Sequence, residues 1–87
     1  MSYQVRIARQ AAEYLRRLDR TTQARITRRL DQIAADPFGP QTKQLKGAGG
    51  RRTARVGDWR IVFRVEPAER VVEVSAIGPR GGVYRGL

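Results

Sequence analysis

The chain has 87 residues, of which 40% are hydrophobic, and a formal net charge of +10. It contains no cysteine, which excludes disulfide bonds and thiolate metal sites, and no histidine, the commonest general acid–base residue. This size and composition predict one domain over residues 1–87 with a polyanionic partner, either a nucleic acid or an acidic protein.

The N-terminal half is predicted to form a strand followed by two helices. Residues 3–7 alternate between apolar and polar side chains, which is typical of a half-buried strand. Apolar residues at helical spacing then predict one helix over residues 9–18 and a second helix after it. We expect Thr21 or Thr22 to cap the second helix. We expect Asp36-Pro37 to end it, because the residue before a proline avoids the α region.

The C-terminal half is predicted to be a small sheet. Residues 38–50 are rich in glycine and proline and are predicted to form a connecting loop. Strands are predicted over residues 51–56, 59–65 and 70–77. With the two helices laid on one face, the chain is expected to have an α+β fold in the order β-α-α-β-β-β, with a mostly antiparallel sheet.

The segment from Arg55 to Arg60 predicts a hairpin with a two-residue Gly-Asp turn. In that register Val56 pairs with Trp59, and Arg55 pairs with Arg60. Like charges directly opposite each other destabilise a hairpin. The pair is favourable if an anion lies between the two guanidiniums, and a phosphate matches their planar geometry.

A second turn, over residues 66–69, would pair Val65 with Arg70 and set the register of the last strand. The core pairs that follow are Phe63 with Val72, Ile61 with Val74 and Trp59 with Ala76. The opposite face, which we expect to be concave and to face solvent, then holds Arg51, Thr53, Arg55, Arg60, Val62, Arg64, Val71, Glu73 and Ser75. We expect Glu73 to neutralise part of its arginine neighbours' charge.

The C-terminal tail is expected to bring further groups to the same place. The Gly-Asp turn and residue 77 lie at one end of the predicted sheet, so Arg80 and Tyr84 can approach Arg55 and Arg60. We interpret the three arginines as an anion site, whereas spacing alone leaves the role of Tyr84 open. The arginines of the two helices, by contrast, are expected to form a solvated face.

The chemistry of this cluster suits RNA cleavage without a metal or other cofactor. The eight acidic residues are scattered, and no metal-ligand cluster is visible. Cleavage of RNA needs no external nucleophile, because the 2′-hydroxyl attacks the adjacent phosphate and the protein orients it and stabilises charge. Beyond the cluster, the cations expected to contact RNA are Lys43, Lys46, Arg51, Arg52, Arg64 and Arg85.

The order of these segments resembles the RelE/ParE toxin superfamily of toxin–antitoxin systems. The resemblance is carried by the strand and helical hairpin, then Leu45-Lys46-Gly47, then residues 55–63, then Ile77-Gly78-Pro79-Arg80 with Val83-Tyr84. It covers essentially the whole chain and implies a compact RelE-like fold, with two N-terminal helices packed on an antiparallel sheet.

The resemblance also implies site residues and a branch of the superfamily. RelE-like members cut mRNA in the ribosomal A site, whereas ParE-like members inhibit DNA gyrase and generally lack the catalytic set. Arg55, Arg60 and Arg80 fall on basic positions of the RelE-like set. Tyr84 falls on the tyrosine proposed as the base. These matches favour the RelE-like branch.

The function implied is that of a ribosome-dependent mRNA endoribonuclease held inactive by a cognate acidic antitoxin in a hetero-oligomer. The chain has no signal-peptide pattern and no stretch of transmembrane length, so we expect a cytoplasmic protein with no membrane partner. Pro79 and Thr53 replace a histidine and a basic residue of other members, which leaves the general acid unassigned. Two alternatives stay open: a ParE-like gyrase inhibitor and a non-catalytic RNA-binding module.

Overall fold

The computed structural model describes residues 2–45, 47 and 49–80. In chain order the elements are β1 (Gln4–Ile7), α1 (Arg9–Arg16), α2 (Arg20–Ala35), β2 (Thr42–Gln44), β3 (Arg52–Val56), β4 (Trp59–Glu66) and β5 (Val71–Pro79). The strands form one sheet in the order β1-β5-β4-β3-β2, in which β1 is parallel to β5 and the other neighbours are antiparallel. The predicted α+β class is confirmed, with one strand more than expected.

Both helices pack on one face of this sheet. The buried residues of α2 recur at helical spacing, from Thr22 and Ile26 to Leu30 and Ile33, so one stripe of the helix faces the strands. The core that they complete also contains Ala11, Ala54, Val56, Ile61, Phe63, Val72, Val74 and Ile77. Neither described helix is long and apolar enough to cross a membrane.

The boundary between the two helices differs from the prediction. Helix α1 ends at Arg16, two residues early, and α2 is capped by Asp19 rather than by Thr21 or Thr22. One carboxylate oxygen of Asp19 accepts from the Thr22 backbone N–H at 3.1 Å. The Thr22 hydroxyl donates to the other at 2.6 Å. These bonds lower the pKa of the Asp19 carboxyl. The predicted end of α2 at Asp36 is confirmed.

The predicted loop over residues 38–50 contains the short edge strand β2. The Thr42 hydroxyl bonds to the carbonyls of Pro37 and Gly39 at 3.0 and 3.1 Å, which fixes the start of this strand. Its pairing with β3 continues through a hydrogen bond from Leu45 N–H to the Arg51 carbonyl at 2.8 Å. Three residues are too few to show strand periodicity, so the sequence did not reveal β2.

The hairpin of β3 and β4 has the predicted register. Val56 lies opposite Trp59, and Arg55 lies opposite Arg60. Gly57 has a φ of +57°, a left-handed conformation that the first position of such a tight turn requires.

The predicted register between β4 and β5 is wrong by two residues. The connecting turn spans residues 67–70, so Glu66 pairs with Val71, and Phe63 pairs with Val74 rather than Val72. Arg70 closes this turn with a φ of +55°, and its N–H donates to the Pro67 carbonyl at 3.2 Å. The sequence suggested the right turn length but not its position along the chain.

A β-bulge then moves the end of β5 by one further residue. Phe63 pairs with Val74 and Val62 pairs with Ala76, so Ser75 has no partner of its own. The Ser75 hydroxyl donates to the Val62 carbonyl at 3.2 Å across the bulge. Beyond it the pairs are Ile61 with Ile77, Arg60 with Gly78 and Trp59 with Pro79, which replaces the predicted pairing of Trp59 with Ala76.

Candidate functional site

The sheet face opposite the helices, here called the arginine face, carries Arg55, Arg60 and Arg64. Its side chains form three rows across the strands. The first row contains Arg55, Arg60 and Gly78; the second contains Lys43, Thr53, Val62 and Ala76; the third contains Arg64, Glu73 and Arg6. The first row lies next to the β3–β4 turn.

The first row brings two of the expected site residues together. Arg55 is exposed, and its Nε donates to the Gly57 carbonyl at 3.3 Å. Arg60 is partly buried, and its Nε is buried with no hydrogen-bond partner among the described residues. An unpaired buried donor costs free energy, and a charged one costs more. The Arg60 guanidinium is therefore suited to an acceptor that the described residues do not supply.

Arg80 is anchored beside the same turn. Its backbone N–H donates to the Asp58 carbonyl at 2.8 Å, directly after the pairing of Pro79 with Trp59. Three of the four residues expected to be catalytic thus converge at one end of the sheet. Tyr84 lies outside the described residues, as do two of the expected RNA-binding cations, Lys46 and Arg85.

In the part of the chain that the structure describes, no carboxylate pairs with the arginines at this end. Asp58 lies in the turn itself but forms no ion pair with Arg55, Arg60 or Arg80. The ion pair found among the described residues lies elsewhere, between Arg9 and Glu13 of α1 at 3.5 Å. Arginines gathered at one end of a sheet without a paired carboxylate favour a bound anion.

The centre of the arginine face is less open than predicted. Thr53 and Val62, in the second row, are 2% and 0% exposed, so the predicted fully solvent-facing surface is wrong at this row. Arg55 and Lys43 beside them are exposed. An anion can therefore reach the arginine side chains of this face but not its central backbone.

The third row forms a separate groove at the far end of the arginine face. Arg6, Arg51, Arg64 and Glu73 line a groove of about 370 Å³. Glu73 is opposite both Arg64 and Arg6, yet it forms no ion pair with either. Among the described residues, Glu73 therefore does not neutralise the charge of either arginine through a direct contact, as we expected it to do.

Arg52, expected to contact RNA, points away from the arginine face. It pairs with Phe63, whose side chain lies in the core under the helices. The Arg52 guanidinium lies 5.2 Å from the centre of the Phe38 ring and donates to the Thr42 hydroxyl at 2.8 Å. Strand alternation places Arg52 on the helix side of the sheet. Its contacts therefore stabilise β2 and the segment that leads into this strand.

Sequence reasoning missed Arg25. A Cβ placed on Gly57 would lie 2.7 Å from Nη2 of Arg25, so the Arg25 guanidinium reaches from α2 to the β3–β4 turn. The sequence pattern predicts a solvated helical face for this residue, together with the other arginines of the helices. In the sequence, only the neighbouring Ile26, which is fully buried, indicates that Arg25 could lie near the sheet. The packing of α2 on the sheet is what brings Arg25 to the turn.

The described residues contain no group of three or more acidic, histidine or cysteine side chains suited to a metal ion. What the site offers instead is a set of arginines around the β3–β4 turn, and guanidiniums bind phosphate-like anions.

Residues 5–84 match the family described as "ParE toxin of type II toxin-antitoxin system, parDE". The chain belongs to this family. It is thus a toxin of a type II toxin–antitoxin system within the RelE/ParE superfamily, as the sequence motifs predicted. No curated protein matches the chain.

Solved structures of toxins share the fold. The RelE–RelB complex from Pyrococcus horikoshii OT3 is 27% identical with a TM-score of 0.80, covering 95% of this chain and 100% of that chain. The RelBE2 complex from Mycobacterium tuberculosis is 22% identical with a TM-score of 0.81, covering 92% and 100%. The YoeB/ParE toxin from Agrobacterium tumefaciens is 20% identical with a TM-score of 0.76, covering 88% and 98%.

Proposed function

We propose that this ParE-family toxin is a ribosome-dependent mRNA endoribonuclease of the RelE type. One observation carries the proposal. Arg60 has a buried Nε without a partner in the described chain, and it stands between Arg55 and Gly78 with Arg80 anchored nearby. Such a set of donors fits a phosphate whose negative charge increases during reaction.

The proposed chemistry is an internal transfer within the RNA. The 2′-oxygen forms a bond to phosphorus, and the bond from phosphorus to the 5′-oxygen of the next nucleotide breaks. The products are a 2′,3′-cyclic phosphate and a 5′-hydroxyl. Tyr84 accepts the 2′-hydroxyl proton, and solvent supplies a proton to the leaving oxygen. Arg55, Arg60 and Arg80 stabilise the extra negative charge of the phosphorane.

The rest of the arginine face would hold the RNA on either side of the cleaved bond. Arg64 follows Arg60 by four residues along β4, which is about 13 Å at ~3.3 Å per strand residue. Arg51 lies with Arg64 in the far groove, and Lys43 is exposed on β2. We propose the same RNA-binding role for Lys46 and Arg85. The contacts of Arg52 support β2 instead.

The proposed partners follow from charge and from the toxins of similar fold. RelBE2 and the archaeal RelE–RelB protein are toxin–antitoxin complexes. A chain of net charge +10 is complementary to an acidic antitoxin. We infer a cognate acidic antitoxin in a hetero-oligomer that covers the arginine face, with mRNA in the ribosomal A site as the target in the cytoplasm.

A second candidate function is inhibition of DNA gyrase without nuclease activity. The observation that favours it is the match of residues 5–84 to the ParE toxin description. In that case Arg55, Arg60 and Arg80, here called the arginine cluster, would bind DNA or an acidic surface and would carry out no chemistry. A non-catalytic RNA-binding module would bind through the same face, and it differs from the nuclease in leaving mRNA intact.

Two assays on one preparation separate these functions. The toxin would be co-expressed with its antitoxin, separated from it, refolded, and added to ribosomes that carry a defined mRNA. We expect cleavage within the A-site codon, detected as new RNA ends, and no inhibition of gyrase supercoiling. An Arg60→Ala variant that retains its fold serves as the control. Intact mRNA together with inhibited supercoiling would overturn the proposal in favour of gyrase.

A further inference from the structure

The arginine cluster has a fourth member that comes from the helix side of the sheet. Arg25 is an exposed residue of α2, yet its guanidinium lies against Gly57 in the β3–β4 turn. The distances from an added Gly57 Cβ are 2.7 Å to Nη2, 3.4 Å to Cζ and 3.5 Å to Nη1. The whole guanidinium group is therefore at the turn, and not only one of its atoms.

Two arginines from opposite faces of the sheet meet at this glycine. Arg55, on the arginine face, donates from its Nε to the Gly57 carbonyl at 3.3 Å, while Arg25 approaches the same residue from α2. Among the described residues, the Arg25 guanidinium has no hydrogen-bond or ion-pair partner, and the Asp58 carboxylate pairs with neither arginine. Two like charges at one turn repel each other unless an anion lies near both.

Gly57 permits this approach in two ways. Its φ of +57° suits the tight turn, and its missing side chain leaves the space that Arg25 occupies. Asparagine tolerates the same backbone conformation, but its Cβ would displace the guanidinium. The turn can therefore be kept while the position of Arg25 is changed, which provides a selective perturbation.

We propose that Arg25 binds a second RNA phosphate, the one next to the phosphate held by Arg55, Arg60 and Arg80. The RNA strand then passes over the β3–β4 turn, from the arginine face towards α2. Arg25 is a positioning residue in this arrangement, because it holds the strand and does not touch the reacting atoms. The inference rests on the proposed function, because that function identifies the phosphate that is cleaved. Binding of the second phosphate does not itself require cleavage.

The test uses a short single-stranded RNA that carries a 2′-deoxy nucleotide at the cleavage position and so cannot react. Affinity is measured by fluorescence anisotropy over a series of salt concentrations. We expect Arg25→Ala to weaken binding by about 10-fold and to reduce the salt slope by about one, as for the loss of one phosphate contact. Gly57→Asn should have a similar effect.

Arg28→Ala is the matched control, because Arg28 is an exposed arginine of the same helix that lines a surface groove with Thr27 and Asp31. It should leave the binding of this short RNA unchanged. Equal losses from Arg25→Ala and Arg28→Ala would overturn the inference, since the effect would then come from net charge alone.

A set of oligonucleotides, each with one phosphate replaced by a neutral methylphosphonate, locates the contact. We expect the substitution next to the cleavage position to weaken binding by the unmodified protein about 10-fold. The same substitution should have no further effect on Arg25→Ala. Independent, additive losses at every phosphate would contradict a specific contact of Arg25.

This design separates the inference from the proposed nuclease function. If no mRNA is cut but Arg25 remains coupled to one phosphate, the second phosphate site stands and the nuclease proposal fails. If mRNA is cut while Arg25 is coupled to no phosphate, only the inference fails. If Arg25→Ala weakens binding of the acidic antitoxin and leaves RNA binding unchanged, Arg25 belongs to the antitoxin interface and the inference is overturned.

Discussion

Arg60 lies directly opposite Gly78, so no side chain of β5 occupies the position across from this arginine. The relationship depends on the bulge at Ser75. Without the extra residue, Ile77 would take that position and its side chain would stand beside the guanidinium. The bulge instead sends Ile77 into the core, where it is 5% exposed.

Gly78 is buried, so a larger side chain at this position should disturb its surroundings and impair the site. We expect Gly78→Val to reduce cleavage of ribosome-bound mRNA by ~10- to 10²-fold, because the new side chain would displace the phosphate or the Arg60 side chain. The control is Ala76→Val, one row away on the same face. Thermal melting by circular dichroism confirms that both variants fold. A folded Gly78→Val protein with full activity would show that the space beside Arg60 is not used.

The arginines of the cluster should differ from those of the helical surface. We expect Arg60→Ala and Arg80→Ala each to lower the single-turnover cleavage rate by ~10²-fold or more, the scale of losing one contact to a developing oxyanion. Arg28→Ala should instead change ribosome affinity and its salt dependence. Rates that fall equally in all three variants would indicate a bulk charge effect.

Tyr84 is expected to act as the proton acceptor. Tyr84→Phe removes one oxygen and should lower the single-turnover rate by ~10²- to 10⁴-fold, the usual range for a lost general base. Antitoxin binding should persist, because the ring is kept. Tyr3→Phe is a suitable control, since the Tyr3 ring instead lies 4.6 Å from the Arg70 guanidinium. Cleavage by Tyr84→Phe at the parent rate would make another group the base.

Cleavage should not require a specific divalent metal ion. The described residues contain no group of three or more side chains that could hold a metal ion, and the sequence has neither histidine nor cysteine. We expect the rate to persist when Mg²⁺ is lowered to the minimum that keeps ribosomes intact, and Mn²⁺ or Zn²⁺ should not increase it. A rate that returns only with one particular ion, while ribosome integrity is monitored, would contradict this site.

The cap of α2 should contribute a pH-dependent part of stability. Hydrogen bonds from Thr22 lower the pKa of Asp19 in the folded state. The stabilisation that the charged Asp19 gives the folded state is therefore complete above the ordinary carboxyl pKa. It decreases as the pH falls below that value and is lost below the lowered pKa of the folded state.

An Asp19→Asn variant tests this contribution, because asparagine is also a good N-cap but does not titrate. We expect it to be less stable than the parent near neutral pH in urea unfolding. The difference should shrink as the pH falls through the acidic range. A difference that is constant with pH would mean that the Asp19 charge does not stabilise the helix.

The sequence by itself determined the features that depend on local pattern. Helical spacing located both helices, Asp36-Pro37 marked the end of α2, and the Gly-Asp turn defined the pairing of Arg55 with Arg60. The family motifs identified the superfamily, which the match of residues 5–84 confirmed. These features are readable because each rests on a few consecutive residues.

Only the tertiary structure decided the features that join distant segments. The pairing of β5 with β4 decides where the bulge at Ser75 lies and places Gly78 beside Arg60. The packing of α2 on the sheet brings Arg25 to Gly57. A strand slip of one residue exchanges the two faces, and the hydrophobic pattern of β5 suits more than one register. Packing of the core selects among these registers, because it buries Ile77 on the helix side and leaves glycine at the site.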